Sequence, residues 1–529
     1  MSPVDRRIGL TKFHPHSPQP RSIPSEGGVS VVMPVCNEER TLRENLRRLT
    51  SWSAVREVIV VLNGCTDASE SIARAAGVRQ LTYPEKLGPD VGRALGAAVA
   101  KSEFILFLDA DIVWRLQELQ PFIRSLRDGA DIALNQYPTP ANRHFDHPTA
   151  LAKRALNIAL ERPDLRAASL TAVPHAIRKS ALVVMECADL AVPPVFFTKA
   201  VLAGLKISAP TYVDVSTRNR SREARGDGYL RRDVILGDHV EAFSEIIRQR
   251  GTRGGFDDLN RRREVIEALQ SARDTEEIQA THIDCLGRAA VVPARNEAKT
   301  LPQVVASLKE SGAEQICVID NGSTDGTSRI ARQLDVQLEV FGQALGHDVG
   351  RSVGVLATRT AVATLFVDAD FFIPAKELKP FYDAVESGVD VALNDLSSGL
   401  ANRGVRDAVT TVKEFLNFAL QRSDLGACSL TAVPHALSGE ALRVIPAAEL
   451  CVPPKALVRA VISGLEVKQV QFADVIRRNP YRHRLHSRRY GVPLKKLIVG
   501  DHVEALQLLI ELRGMRGGYV QPRRLEVLR

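Results

Sequence analysis

Val32-Met33-Pro34-Val35-Cys36-Asn37-Glu38 decides the fold, because it returns later in the chain as Val291-Val292-Pro293-Ala294-Arg295-Asn296-Glu297. Each copy closes an apolar, β-branched run such as Val29–Pro34, which reads as a buried strand with its polar residues at the carboxyl end. Working outward, further pairs keep the same register. Asn63-Gly-Cys-Thr-Asp67 recurs as Asn321-Gly-Ser-Thr-Asp325, and Leu87-Gly-Pro-Asp-Val-Gly-Arg93 as Leu345-Gly-His-Asp-Val-Gly-Arg351. Asp109-Ala-Asp111 recurs as Asp368-Ala-Asp370. Ser169-Leu-Thr-Ala-Val-Pro-His-Ala176 is repeated letter for letter at 429–436, and Gly237-Asp-His-Val-Glu-Ala242 at 500–505. Arg250-Gly-Thr-Arg-Gly-Gly255 returns as Arg513-Gly-Met-Arg-Gly-Gly518, with no second clue to its use. A repeat this long is a duplicated domain, not an array of short solenoid units.

The length agrees, since 529 residues exceed what one hydrophobic core usually serves. The expected division is a polar tail at 1–28, a first unit at 29–269, a linker at 270–284 and a second unit at 285–529. An apolar share of 45% with 25% charged residues excludes a disordered or membrane-embedded chain. Aromatics at 5% argue against a stacking surface for nucleic acid, and a net charge of +8 is mild for this length. The seven cysteines form no C-x-x-C and no zinc spacing, which fits a reduced, cytoplasmic protein. No uninterrupted apolar run is long enough to span a bilayer; Leu190–Leu205 is broken by Pro193, Pro194 and Lys199. Peripheral contact with the inner face of a membrane stays open as a route to a lipid-linked acceptor.

Within each unit strands alternate with helices, so the fold class is α/β with a mainly parallel sheet, built twice in tandem. Ligands then bind at the carboxyl ends of the strands. Three polar clusters lie there in unit one: Asn37-Glu38, Asn63 with Asp67, and Asp109 with Asp111. Two carboxylates one residue apart after a buried strand suit a hard cation, Mg²⁺ or Mn²⁺, that bridges a diphosphate. Alone, an Asp-x-Asp pair is more often a solvated strand end; its repetition in register favours the metal. Arg93 and Arg351, after a glycine, offer a guanidinium fork for phosphate. No dinucleotide fingerprint and no Walker-A loop is present.

These motifs resemble family 2 glycosyltransferases of the GT-A (Rossmann-like) fold, and more loosely the glucosyl-3-phosphoglycerate synthase and mannosylglycerate synthase group, through Arg218-Asn219-Arg220 and the helix that follows. The resemblance implies a metal-dependent hexosyltransferase using a UDP- or GDP-sugar. By motif position, Pro34, Asn37, Glu38 and their counterparts Pro293, Asn296, Glu297 would line the base and ribose pocket. Asn63 and Asn321 belong to the same pocket. Asp320 matches an acid that contacts uracil, whereas unit one has Leu62 there. Asp109 and Asp368 would face ribose or metal, and Asp111 and Asp370 would bind the metal. His239 and His502 are the candidate histidine ligands; His175 and His435, in the identical segment, belong to the acceptor half. For the general base, Asp189 and Glu449 compete with Asp238, Asp501, Glu241 and Glu504, so inversion or retention stays open. The basic stretches Arg218–Arg232 and Arg477–Lys496 differ most between the units, which suggests different acceptors. Two rival readings remain: a pair with one degenerate, non-catalytic unit, and a nucleotidyltransferase, whose glycine-rich activating loop is not visible.

Overall fold

The strand β1 (Val29–Val35) buries Val29, Val31, Met33 and Val35 on one side and Val32 on the other. A period of two with apolar residues on both faces belongs to a strand covered by helices on both sides. The chain is described here from a computed structural model, over residues 28–137, 147–215, 217–218, 231–277, 286–400, 406–479 and 492–528. The expected tail, much of the linker and most of the two basic stretches lie outside the described residues.

Unit one continues with β2 (Val55–Asn63), β3 (Arg79–Tyr83), β4 (Phe104–Phe107), β5 (Ile132–Asn135), β6 (His175–Arg178) and β7 (Ile207–Thr211). They form a seven-stranded sheet in the order β3-β2-β1-β4-β6-β5-β7. Unit two repeats it with β8 (Leu286–Ala294), β9 (Gln315–Asn321), β10 (Gln337–Phe341), β11 (Ala361–Phe366), β12 (Val391–Asn394), β13 (His435–Ser438) and β14 (Val467–Gln471), in the order β10-β9-β8-β11-β13-β12-β14. The sheets are mixed. β6 and β13 run antiparallel to both neighbours, so Phe107 pairs with His175 and Phe366 with His435. This reversal brings the start of β6, which closes the letter-for-letter repeat, to the edge where β1, β2 and β4 end.

On one face of the unit-one sheet, Val31, Met33, Val58, Val60 and Leu62 form a core with Leu42 and Leu46 of the helix Glu39–Ser51 and with Phe122 of the helix Leu116–Arg127. The other face, with Val32, Ile59 and Val61, belongs to a core that runs without interruption into unit two, including Val291, Phe415 and Leu509. Phe243 stacks on Phe415 across the units at 5.4 Å between ring centroids. Burial of this shared surface makes the two halves one body. Among the described residues, no helix is long and apolar enough to cross a membrane.

Candidate functional site

The turn that ends β1 is tied to the turn that ends β2. Asn37 is left-handed (φ 59°), a conformation asparagine tolerates better than most residues. Its Oδ1 accepts the Thr66 amide at 2.7 Å, and its Nδ2 donates to Thr66 Oγ1 at 3.1 Å. Ser69 Oγ accepts the Glu38 amide and Asp67 the Glu39 amide, both at 3.0 Å. Amides at the start of the helix Glu39–Ser51, which lack partners inside that helix, are satisfied in this way. Unit two repeats the lock: Asn296 (φ 60°) accepts the Thr324 amide at 2.7 Å, and Thr327 Oγ1 accepts the Glu297 amide at 2.8 Å. Asp320, buried at the end of β9, accepts from the Ser323 amide at 2.9 Å and from the Ser328 hydroxyl.

Asn63 and Asn321 hold the next loop, each accepting an amide, Leu87 or Leu345, at 2.5 Å. There Asp90 and Asp348 adopt left-handed backbones (φ 64° and 62°), a strained choice for aspartate that functional sites often carry. Arg93 then bridges Asp90 at 2.6 Å and Asp109 at 2.9 Å, and Arg351 bridges Asp348 at 3.0 Å and Asp368 at 3.1 Å. Both arginines are buried, and their charge is set against these acids as well as facing the site. His347 lies 2.7 Å from Asp348. The ring is 41% exposed; the atoms crowded around it oppose its charge, but the Asp348 carboxylate outweighs that and holds the imidazole above its usual range.

Asp109 and Asp111 are both buried at the end of β4. Their loop is pinned from the helix Glu39–Ser51. Thr41 Oγ1 donates to the Ala110 carbonyl at 2.7 Å, and Asn45 Nδ2 to Ile112 at 2.8 Å. Asn45 Oδ1 accepts the Trp114 amide at 3.0 Å, and the indole N–H donates to the Asp109 carbonyl at 2.8 Å. In unit two Val304 and Ile373 stand in the places of Asn45 and Trp114, and the pin reduces to Ser307 donating to the Ile373 carbonyl at 2.6 Å. Carboxylate oxygens at a strand end are the donor set Mg²⁺ and Mn²⁺ prefer, so the residues fit such an ion.

The histidines are placed elsewhere. His239 and His502 are buried within the long helices Arg231–Arg250 and Pro493–Arg513. Each Nδ1 donates to a carbonyl one turn back, Ile235 at 2.6 Å and Ile498 at 2.7 Å. Burial pulls both rings down to about 3, so they are neutral. Among the described residues no three His, Cys, Asp or Glu side chains converge to hold a metal, so these histidines are not brought together with the Asp-x-Asp pairs. The reason is positional: each ring is buried beside residues of its own unit, His239 with Ile235 and Lys153 and His502 with Ile498 and Lys413. His175 and His435 stack on Phe107 and Phe366 at 4.9 Å, and burial lowers both to about 3.

The base candidates separate into two kinds. Asp189 and Glu449 lie in short 3₁₀ turns and face cations: Lys199 at 2.6 Å and Arg459 at 2.6 Å. Asp238 and Asp501, each 1% exposed, are gripped across the chain. Asp238 of unit one receives Arg516 at 2.7 Å and Arg523 at 2.6 Å from unit two. Asp501 of unit two receives Arg253 at 2.6 Å and Arg261 at 2.7 Å from unit one. Arg516 also reaches Glu241 at 2.9 Å, and Arg253 reaches Glu504 at 3.2 Å. The Arg-Gly-x-Arg-Gly-Gly segments, unassigned from sequence, thus provide two of the exchanged arginines, Arg253 and Arg516, and Arg261 and Arg523 follow shortly after them.

Two further residues had no sequence signal. Lys153 and Lys413 are buried, and burial brings both down to about 8. A lone lysine in an amphipathic helix reads as surface; their matching places in the two units are the clue that could have found them. A concavity of about 560 Å³ along β7, lined by residues such as Arg124, Asp128 and Lys206, includes none of the motif residues.

The model of glycosyl transferase family 2 matches residues 30–178 and 289–425. The pre-mycofactocin glycosyltransferase of Mycobacterium tuberculosis is 37% identical over 101 residues, 18% of this chain and 21% of that protein. The 4,4'-diaponeurosporenoate glycosyltransferase of Staphylococcus haemolyticus is 32% identical over 90 residues, 16% of this chain and 24% of that protein. The chain therefore spans about a fifth to a quarter of the length of these relatives. Among solved structures, glucosyl-3-phosphoglycerate synthase of Mycobacterium tuberculosis, in complex with Mn²⁺, uridine diphosphate and phosphoglyceric acid, aligns with a TM-score of 0.33 and 18% identity, over 43% of this chain and 79% of that one.

Proposed function

Because the chain belongs to glycosyl transferase family 2, we propose that each unit takes a nucleotide-diphosphate sugar at the carboxyl edge of its sheet and transfers the sugar to an acceptor hydroxyl. One observation carries this reading: the series Asp90–Arg93–Asp109 beside Asp111, with its arginine buried, built again as Asp348–Arg351–Asp368 beside Asp370. Pro34, Asn37 and Glu38, with Pro293, Asn296 and Glu297, border the base and ribose, and Asp320 gives unit two an acid that unit one lacks. Asp111 with Asp109, and Asp370 with Asp368, would hold Mg²⁺ or Mn²⁺. Such an ion, when bound, offsets charge on the diphosphate leaving group. Lys153 and Lys413, at about 8, remain largely cationic at pH 7 and add positive charge in each unit. Asp189 and Glu449 are the base candidates this reading keeps; Asp238 and Asp501 serve the joint between the units.

Calorimetry on the full chain with UDP- and GDP-sugars plus Mn²⁺ tests the reading. Two binding events are expected, one removed by Asp111→Asn and the other by Asp370→Asn. No binding, or binding indifferent to both changes, overturns it. Leu62 favours a second reading, in which only unit two turns over; it predicts transfer abolished by Asp370→Asn and untouched by Asp111→Asn.

A further inference from the structure

Each unit ends in a segment that lies on the other unit. After the helix Arg231–Arg250, residues 251–263 cross to unit two, and after Pro493–Arg513, residues 514–524 cross to unit one. The crossings match bond for bond. The Arg524 amide donates to the Leu87 carbonyl at 2.9 Å, and the Arg262 amide to the Leu345 carbonyl at 2.8 Å. Arg523 Nε donates to the Pro89 carbonyl, and Arg261 Nε to the His347 carbonyl, both at 2.9 Å. The guanidinium of Arg523 forks onto both oxygens of Asp238 at 2.8 and 2.6 Å, and that of Arg261 onto both oxygens of Asp501 at 2.7 Å. Arg523 also comes within 3.4 Å of Asp90, and Arg261 within 3.4 Å of Asp348. Both guanidiniums are fully buried.

The loop glycines record the same contact. A Cβ on Gly88 (φ 86°) would fall 2.6 Å from the Pro522 carbonyl oxygen, and one on Gly346 (φ 98°) 2.8 Å from Arg261 Cα. The close approach these glycines permit is that of the other unit's tail. A charge series therefore runs from one half into the site of the other: Asp238–Arg523–Asp90–Arg93–Asp109, and Asp501–Arg261–Asp348–Arg351–Asp368. An arginine that only joined the halves would need the helix carboxylate alone. These two also hold the carbonyl and carboxylate of the loop that orients Arg93 or Arg351.

We propose that the two sites complete each other: Arg523, from unit two, is a positioning residue for the unit-one site, and Arg261, from unit one, is a positioning residue for the unit-two site. This rests on the donor reading given above. Each tail arginine clamps the loop of the opposite unit to that unit's long helix, so Asp90 or Asp348 keeps its left-handed turn and Arg93 or Arg351 keeps its place beside the Asp-x-Asp acid.

Two measurements on the full chain test this. Hydrogen exchange without ligand reads the loops directly: the Arg93 and Ala94 amides bond to the Asp90 carbonyl, and the Arg351 amide to the Asp348 carbonyl. Arg523→Gln is expected to speed exchange of Leu87, Arg93 and Ala94 at least tenfold more than that of Leu345 and Arg351, and Arg261→Gln the reverse. The lysine variants R523K and R261K, which keep the charge but lose the fork, should show the same pattern more weakly. Titration with UDP and Mn²⁺ reads the consequence: with unit two disabled by Asp370→Asn, R523Q weakens binding tenfold or more; with unit one disabled by Asp111→Asn, R261Q does so. Exchange or affinity altered equally at both sites, or at neither, overturns the proposal. If the unaltered chain binds no UDP with Mn²⁺, the donor reading fails, and the exchange pattern alone decides whether each tail holds the other unit's loop.

Discussion

The two units share a scaffold and differ in how tightly it is furnished. Unit one pins its Asp-x-Asp loop with Asn45 and Trp114, whereas unit two has Val304 and Ile373 there and a single serine bond. Unit two in turn has Asp320 where unit one buries Leu62, and His347 beside Asp348 where unit one has Pro89. Its Glu504 meets Arg253, Arg263 and Lys455, while Glu241 of unit one meets Arg516. Accordingly Glu504 is held below the ordinary carboxylate range, because those cations outweigh its burial, and Glu241 is raised, because burial outweighs Arg516. What both units keep is the charge series and the crossed arginines; what differs is the strand end that carries Asp320 or Leu62 and the support behind the acids. The lesson is that the Asp–Arg–Asp series and the joint to the other half are common, and the ends of β2 and β9 and the underside of the Asp-x-Asp loop are where the halves diverge.

The comparison can be broken first with acid. His175, His239, His435 and His502 sit near 3 in the fold against 6.5 in the unfolded chain. Below 6.5 the unfolded chain binds protons the fold does not, so stability present at neutral pH falls as pH falls. The loss is about 1.4 kcal/mol per pH unit for each ring, so several kcal/mol should be gone by pH 5 in denaturant melts. With two such rings in each unit and one shared core, both halves should unfold in one transition; two separate transitions would break the idea of a single body. Next, Asp111→Asn and Asp370→Asn should each cut transfer by the altered unit about a hundredfold, on the order of 3 kcal/mol. If only one change lowers total turnover, the units are unequal.

Third, Asn45→Ala leaves the Ile112 carbonyl and the Trp114 amide short of partners, which should cost unit one about 1–3 kcal/mol. The matching Val304→Ala loses packing alone, about 1 kcal/mol, and a larger loss there would show that unit two's loop depends on that helix after all. Fourth, Asp320→Leu should bring unit two's base preference to that of unit one, with about a tenfold loss of uridine over guanosine affinity, or 1.4 kcal/mol. An unchanged preference would place base recognition elsewhere. The smallest effect is expected at His347. Its charged form lies beside the loop, so UDP affinity at unit two should fall about twofold, near 0.4 kcal/mol, as pH rises from 6 through its raised pKa, while unit one stays flat and His347→Pro removes the slope.

Much of this was legible in the letters. The apolar runs with polar ends place Asn37, Asn63 and Asp109 on one edge because strand period and burial are local properties. The reversal of β6 was not legible, since a short apolar strand reads the same in either direction. The surroundings of the histidines were not legible for a related reason: a helical repeat says which residues share a face, but not what that face meets. The arginines of the glycine-rich segments were visible as a repeat, yet nothing local distinguishes an ion pair inside a unit from the same pair made across to the other. Identical partners exist in both halves, and only the path of the chain selects between them.

That path also sets an order on biosynthesis. Asp238 emerges from the ribosome long before Arg516 and Arg523, which belong to the last segment of unit two. At typical elongation rates of ~5–20 residues per second the wait is roughly 15–60 s. During it the first half holds an unneutralised helix carboxylate and an unclamped glycine loop, while its own tail waits for a Gly346 not yet made. Neither half can mature before the other, so synthesis of residues 514–524, rather than completion of the first domain, starts the final step of folding.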